Sequence, residues 1–399
     1  MKLKILWLLS AMQLAEVFLM YKCAMRNATL QTQQSDQSPP SKTILFPIKS
    51  VSELMTAFPT TRYYGSKRKL LPWIYDNLKL LDFKTVLDPF GGSGSVSQLF
   101  RAMNKDVTYH DAFRFNGDIA SSVLTNSWTL TLSDLEQFLG RVRPQDSIVS
   151  RYFDGIFFTS DENRWIDGFM EELGRTDNAP NRSLLKHLLY QACLKKRPFN
   201  LFHRANLGVR TNTLITRSFG NATTWERSFG EHILQEYREI SKLRDIELPS
   251  ATIIPSGDAL QVPTGYDLVY LDPPYVSTKD RVNRDNYWLR YHFLEGLSDY
   301  ENWAAKIDLD SRIRQTPQPD YFTSWSRRHS FKEQLFGLVD RHKSSIVVLS
   351  YVKAAYPDDQ EIREFFESTF SRVSVHSTEH SHALSASRKR ELLFIGIPA

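Results

Sequence analysis

Short apolar runs that end at an acidic or glycine-rich turn recur along this chain, and they constrain its fold more than any other feature. Thr85-Val86-Leu87 runs into Asp88, Val107-Thr108-Tyr109 into His110-Asp111, and Thr252-Ile253-Ile254 into Gly257-Asp258. Leu268-Val269-Tyr270-Leu271 runs into Asp272, and Ile346-Val347-Val348-Leu349 into Ser350. Runs this short, separated by helical stretches, are what strands of a parallel sheet covered on both faces look like. The pattern predicts an α/β fold. Residues 372–377 and 391–396 are two further β-like runs, placed to close the sheet as an antiparallel pair.

Between residues 120 and 249 the texture changes. Segments 132–141, 166–173, 183–194 and 225–243 carry apolar residues at helical spacing, with few strand signals. This block is expected to be a mostly helical domain inserted into the α/β domain, whose two parts then cover 51–119 and 250–399. With 41% hydrophobic and 24% charged residues in 399, the chain is neither disordered nor collagen-like. Its two cysteines cannot build a disulfide framework or a cysteine-rich zinc site, which fits a reducing compartment.

The first 50 residues read differently. Residues 5–15 are mostly apolar but end at Glu16, short of the roughly 20 apolar residues a membrane span needs. Tyr21-Lys22-Cys23 is not a small-residue cleavage site, and a polar, proline-bearing linker follows. Residues 1–50 are expected to be an extension outside the fold, with a signal or anchor and a packed helix as the rival readings. They also hold Lys2, Lys4, Lys22, Arg26, Lys42 and Lys49 against Glu16 and Asp36, so most of the formal net charge of +5 lies there. Any argument for a polyanion partner must rest on local clusters.

Four constellations carry chemistry. Val86-Leu87-Asp88-Pro89-Phe90-Gly91-Gly92-Ser93-Gly94 takes a strand through a glycine-rich turn into a helix, where backbone can approach a ligand closely. The next strand ends at Asp111, about where an α/β nucleotide site places an acid for ribose hydroxyls. Asp272-Pro273-Pro274-Tyr275 brings a carboxylate, fixed carbonyls and an aromatic face to one sheet edge. Such a group suits a planar heterocycle with an exocyclic amine. Arg62-Tyr63-Tyr64-Gly65-Ser66-Lys67-Arg68-Lys69 sets four cations just before the first strand. The stretch 182–227 sets Arg182, Lys186, Lys195, Lys196, Arg197, Arg204, Arg210, Arg217 and Arg227 against Glu226 alone. Cations neutralise phosphates, and Arg and Asn read base edges, so this stretch is expected to face nucleic acid. The histidines show no HExxH or Cys/His ligand spacing, so no metal is expected.

In order and spacing these motifs resemble the alpha-class, Dam-like adenine-N6-specific DNA methyltransferases, which use S-adenosylmethionine. The likeness runs from about Phe58 to Gly396 and includes Tyr291-His292-Phe293-Leu294-Glu295. It implies a Rossmann-like methyltransferase sheet, mostly parallel with an antiparallel C-terminal pair, and a mostly helical target-recognition domain inserted at 120–249. It further implies site-specific N6 methylation of adenine in double-stranded DNA, as the modification enzyme of a restriction-modification system. A solitary regulatory adenine methylase is the alternative, with cytosine N4 or RNA as less favoured acceptors.

Carried over by match, Tyr63 flanks the cofactor, Lys67 meets its methionine carboxylate, and Asp88, Phe90, Gly92 and Gly94 build the pocket. Asp111 binds the ribose hydroxyls, Asp258 lies near the cofactor adenine, and Asp272 serves cofactor and target amine alike. Asp272, Pro273, Pro274 and Tyr275 are the implied catalytic group, and Lys195, Lys196, Arg197, Arg204, Arg210 and Arg217 the implied DNA contacts. The resemblance also implies a cytoplasmic, nucleoid-associated monomer or weak dimer with no membrane partner, and allows a cognate restriction endonuclease acting separately. Departures in the recognition region and in 276–320 leave the target sequence open.

Overall fold

The computed structural model describes residues 65–125, 127–212, 221–277, 286–353, 355–381 and 388–399, with residues 53, 58, 59, 63 and 214. The expected extension over residues 1–50 lies outside them, as do Arg62 of the first basic stretch and Arg217 of the second.

The strands, in chain order, are β1 (Thr85–Asp88), β2 (Asp106–Tyr109), β3 (Thr252–Ile253), β4 (Leu268–Leu271), β5 (Val276–Ser277), β6 (Ile346–Val352), β7 (Ala355–Tyr356), β8 (Arg372–Ser381) and β9 (Arg388–Ile397). Seven of them form one sheet in the order β3-β2-β1-β4-β6-β9-β8. The pairs from β3 to β6 are parallel, and β9 pairs antiparallel with both β6 and β8. The α/β class and the closing antiparallel pair are therefore as the sequence predicts. β5 and β7 form a separate two-stranded ladder.

The central strands β4 and β6 are apolar at nearly every position because both faces of the sheet are covered there. Val86, Leu268, Tyr270 and Val348 join one core, while the alternating Leu87, Val269, Leu271, Val347 and Leu349 join the other. Helices α1 (Leu71–Leu78), α2 (Ser95–Ala102) and α3 (Arg114–Leu124) contribute to the first core through Ile74, Leu99, Phe100 and Ile119. Among the later helices are α4 (Leu132–Arg141), α5 (Ser160–Gly174), α6 (Ala179–Lys196), α7 (Phe229–Ser241), α8 (Tyr287–Ser298), α9 (Asp320–Ser326), α10 (Arg328–Arg341) and α11 (Asp359–Thr369). Leu335 and Leu338 of α10 and Ile362 and Phe366 of α11 build the second core.

No strand falls between β2 and β3 among the described residues. The helices there start where side-chain oxygens can take up free backbone amides: Thr131, Thr159 and Ser228 each close a capping box, and Asn178 caps α6. Helix α6 is buried on most sides from Leu184 to Leu194 because it lies between α3 and α7. Leu184, Leu185, Leu188 and Leu189 are buried in the same core as Leu268 and Tyr270, each side chain contributing about 2 kcal/mol. The helical block therefore shares its core with the first face of the sheet.

Candidate active site

The chain leaves β1 toward β2 and β3, then returns on the other side of β1 as β4. At such a reversal of strand order the crossovers diverge, and a crevice opens beyond the carboxyl ends of the two central strands. Asp88 ends β1 and Asp272 follows β4, so both carboxylates stand at this crevice. They line one pocket together with Tyr63, Lys67, Phe90, Gly92, Asp111, Pro273, Pro274 and Tyr275, all of them expected from the sequence.

The glycine turn is shaped by close approach. A Cβ on Gly91 would stand 2.1 Å from the Tyr109 ring, and Gly92 adopts a φ of +50° that side chains rarely tolerate. The Gly92 amide donates to Asp111 Oδ2 at 2.8 Å, while Asp111 Oδ1 accepts from the Phe113 amide and Asn116. Asp88 Oδ2 accepts from Ser97 at 2.7 Å. Its Oδ1 is buried with no partner among the described residues. Burial pushes the Asp88 carboxyl up to about 7 against the Ser97 hydrogen bond, and the negative neighbours Asp272 and Asp111 add to the rise.

On the other side of the crevice lies a compact charged cluster. Lys67 Nζ stands 3.0 Å from Asp272 Oδ1 and 2.6 Å from Glu391 Oε1, and it also donates to the Tyr275 hydroxyl. That hydroxyl lies 2.9 Å from Asp272 Oδ1 and 2.8 Å from Glu391 Oε1, and its one proton serves either carboxylate. Burial raises the Asp272 carboxyl above the usual range; Lys67 opposes the rise and Glu391 adds to it. Burial would also raise Glu391, but Lys67, Tyr275 and Ser350 hold it below the ordinary value.

Several expected assignments change. Lys67 lines the pocket, but its ammonium already donates to Glu391 and Tyr275 and pairs with Asp272, where the resemblance placed a methionine carboxylate. Gly94 is not among the pocket-lining residues: it opens α2 with φ +75°, and a Cβ there would meet Leu124 at 3.3 Å. Asp258 lies beside the pocket and not in its lining, and its Oδ1 accepts from the Leu260 amide and from Trp325 Nε1. Tyr291-His292-Phe293 is internal, with Tyr291 stacked on Tyr63 at 5.1 Å and holding that ring at the pocket wall.

Sequence reasoning missed Glu391, Ser350, Trp325 and Asn116. Glu391 had a signal, a lone acid at the head of an apolar run, but its meaning depends on strand order, which the run does not encode. Trp325 meets Phe90 edge-on at 5.0 Å, a contact across more than 200 residues of chain that no local pattern announces.

The basic stretch is largely internal, which corrects four of its six expected DNA contacts. Lys195 pairs with Glu236 at 2.5 Å, and Lys196 pairs with Glu162 at 2.9 Å and donates to the Trp225 and Arg227 carbonyls. Arg197 is 1% exposed and donates to the Leu201, Phe157 and Arg204 carbonyls and to Asn206 Oδ1. Arg210 grips Glu162 with both terminal nitrogens. A buried cation must find a counter-charge or carbonyls within the fold, and these have done so. Arg204 stands exposed. No helix among the described residues is long and apolar enough to cross a membrane.

Comparison with known proteins agrees with this geometry. A family model described as D12 class N6 adenine-specific DNA methyltransferase matches residues 63–302, a span that holds the glycine turn, Asp272-Pro273-Pro274-Tyr275 and α8. The chain is also 23% identical over 352 residues to the Type II methyltransferase M2.HphI of Haemophilus parahaemolyticus, covering 85% of this chain and 97% of that protein.

Proposed function

Because the chain belongs to the D12 class of N6 adenine-specific DNA methyltransferases, we propose that it uses S-adenosylmethionine to methylate adenine at a specific site in double-stranded DNA, as the modification enzyme of a restriction-modification system. The observation that carries this reading is the pair of carboxylates, Asp88 and Asp272, at neighbouring strand ends in one pocket. The Type II designation of the similar Haemophilus protein supports the restriction-modification setting.

The residues fit the cofactor. The orphaned Asp88 Oδ1 suits the methionine ammonium, Asp111 suits the ribose hydroxyls, and the bare Gly91-Gly92 backbone lets an adenosine approach beside Tyr63 and Phe90. When bound, S-adenosylmethionine supplies an electrophilic methyl group on a sulfonium, and transfer forms the N6–C bond as the S–C bond breaks. The acceptor amine is a poor nucleophile because its lone pair is delocalised into the ring. Asp272 and the Pro273 carbonyl accept its two N–H bonds and draw electron density back onto nitrogen. The Asp272 charge also stabilises the positive charge that develops there. Asp272 need not be a strong base, since the alkylated nitrogen is acidic and sheds its proton to water afterwards.

The adenine must leave the duplex, at a cost of about a few kcal/mol, and the Tyr275 ring offers a stacking face that offsets part of it. The helical block over 120–249 serves as the DNA-facing recognition domain through its exposed cations, Arg204 among them. Incubating the protein with unmethylated DNA and methyl-labelled cofactor, then digesting to nucleosides, tests the function. Label in N6-methyldeoxyadenosine is the expected result; label in N4-methyldeoxycytidine overturns the acceptor.

A further inference from the structure

We infer that Glu391 is a positioning residue for methyl transfer: it holds the Lys67 ammonium and the Tyr275 hydroxyl so that one oxygen of Asp272 stays available to the target amine. The inference rests on the reading of Asp272 as the amine acceptor.

Strand direction brings Glu391 to the site. β9 runs antiparallel to β6 and pairs Glu391 with Val352, the last residue of β6. The head of β9 therefore reaches the same sheet edge as the carboxyl ends of β1 and β4. There Glu391, 1% exposed, takes three donors on one oxygen: Lys67 at 2.6 Å, Tyr275 at 2.8 Å and Ser350 at 3.0 Å. A buried charge with this many donors is fixed in place. Among the described residues both contacts to Asp272, from Lys67 and from Tyr275, fall on Oδ1, and Asp272 lines the pocket. Oδ2 is thus left for the amine.

Charge makes the same point. Lys67 is one cation between two carboxylates, and Glu391 claims the shorter contact. With Glu391 neutral, the ammonium would belong to Asp272 alone and would compete with the amine for its oxygens. The groups around Asp272 are Lys67 from the turn before α1, Glu391 from β9, Asp88 from β1, and Tyr270 and Tyr275 from its own strand and turn.

The test is the pH profile of methyl transfer by the full chain and by Glu391→Gln, which keeps the shape and removes the charge. We expect kcat to fall about tenfold or more, with KM for cofactor and DNA within about twofold. The acid limb of kcat should move to lower pH, because Asp272 loses a negative neighbour. An unchanged kcat, or a fall in kcat with the acid limb in place, overturns the inference, since a merely structural role would not move that limb. Ser350→Ala is read in parallel and decides the matter should Glu391→Gln not fold. A kcat loss of about two- to fivefold at unchanged cofactor KM supports the inference, and no loss overturns it. Wild-type protein that labels no adenine sinks the proposed function itself, a result distinct from either variant's.

Discussion

The pocket at the sheet edge and the basic stretch of the helical block are both clusters of charge, and the fold treats them in opposite ways. At the sheet edge Asp88 keeps a buried oxygen without a partner among the described residues, and Asp272 shares its cation with a second acid. In the helical block Glu162 and Glu236 come in from α5 and α7 to neutralise Lys195, Lys196 and Arg210, and carbonyls satisfy Arg197. A charge left wanting inside a pocket points to a ligand, whereas a charge satisfied by its own chain points to folding. Counting cations along the sequence cannot separate the two.

Substitutions can break this contrast. The largest effect is expected from Asp272→Ala, which should lower methyl transfer about a thousandfold or more while DNA binding stays largely intact. Glu162→Gln should act on stability instead. Burial would raise the Glu162 carboxyl, yet Arg210 and Lys196 overcome it and hold it at about 2. Its contribution is present above the unfolded carboxylate value near 4.5 and is lost as pH falls through about 2. Removing the charge strands two buried cations and should cost about 3 kcal/mol in denaturant melts, with the salt dependence of DNA binding unchanged.

Asp88→Asn should weaken cofactor binding about tenfold, roughly 1.4 kcal/mol. In the wild type the cofactor KM should rise as pH falls below about 7, because the protonated carboxyl cannot pair with an ammonium, and the variant should flatten that rise. The smallest effect is expected at Arg204. Its change to Ala should weaken DNA binding by roughly 1 kcal/mol or less and reduce the salt slope by about one, whereas Lys195→Gln should leave the slope alone.

The sheet edge was legible in the sequence because its signals are local. A strand run, a turn with glycine or proline and the acid between them are set by a dozen residues, so Asp88, Asp111 and Asp272 could be named before the fold was known. Glu391 and Ser350 join them only through the antiparallel pairing of β9 with β6, a relation between segments about 40 residues apart. The inward turn of Lys196 and Arg210 likewise depends on Glu162, brought in from another helix. Gly94 read as pocket because positive φ and ligand approach leave the same glycine signature, and here the left-handed φ of +75° at the start of α2 is the reason.

The most direct measurement is modified-base sequencing of DNA from a methylation-free host that expresses either this chain or its Asp272→Ala variant. The account predicts N6-methyladenine at one recurring sequence with the wild-type chain and none with the variant. N4-methylcytosine with the wild-type chain, or the adenine mark persisting in the variant, would contradict it.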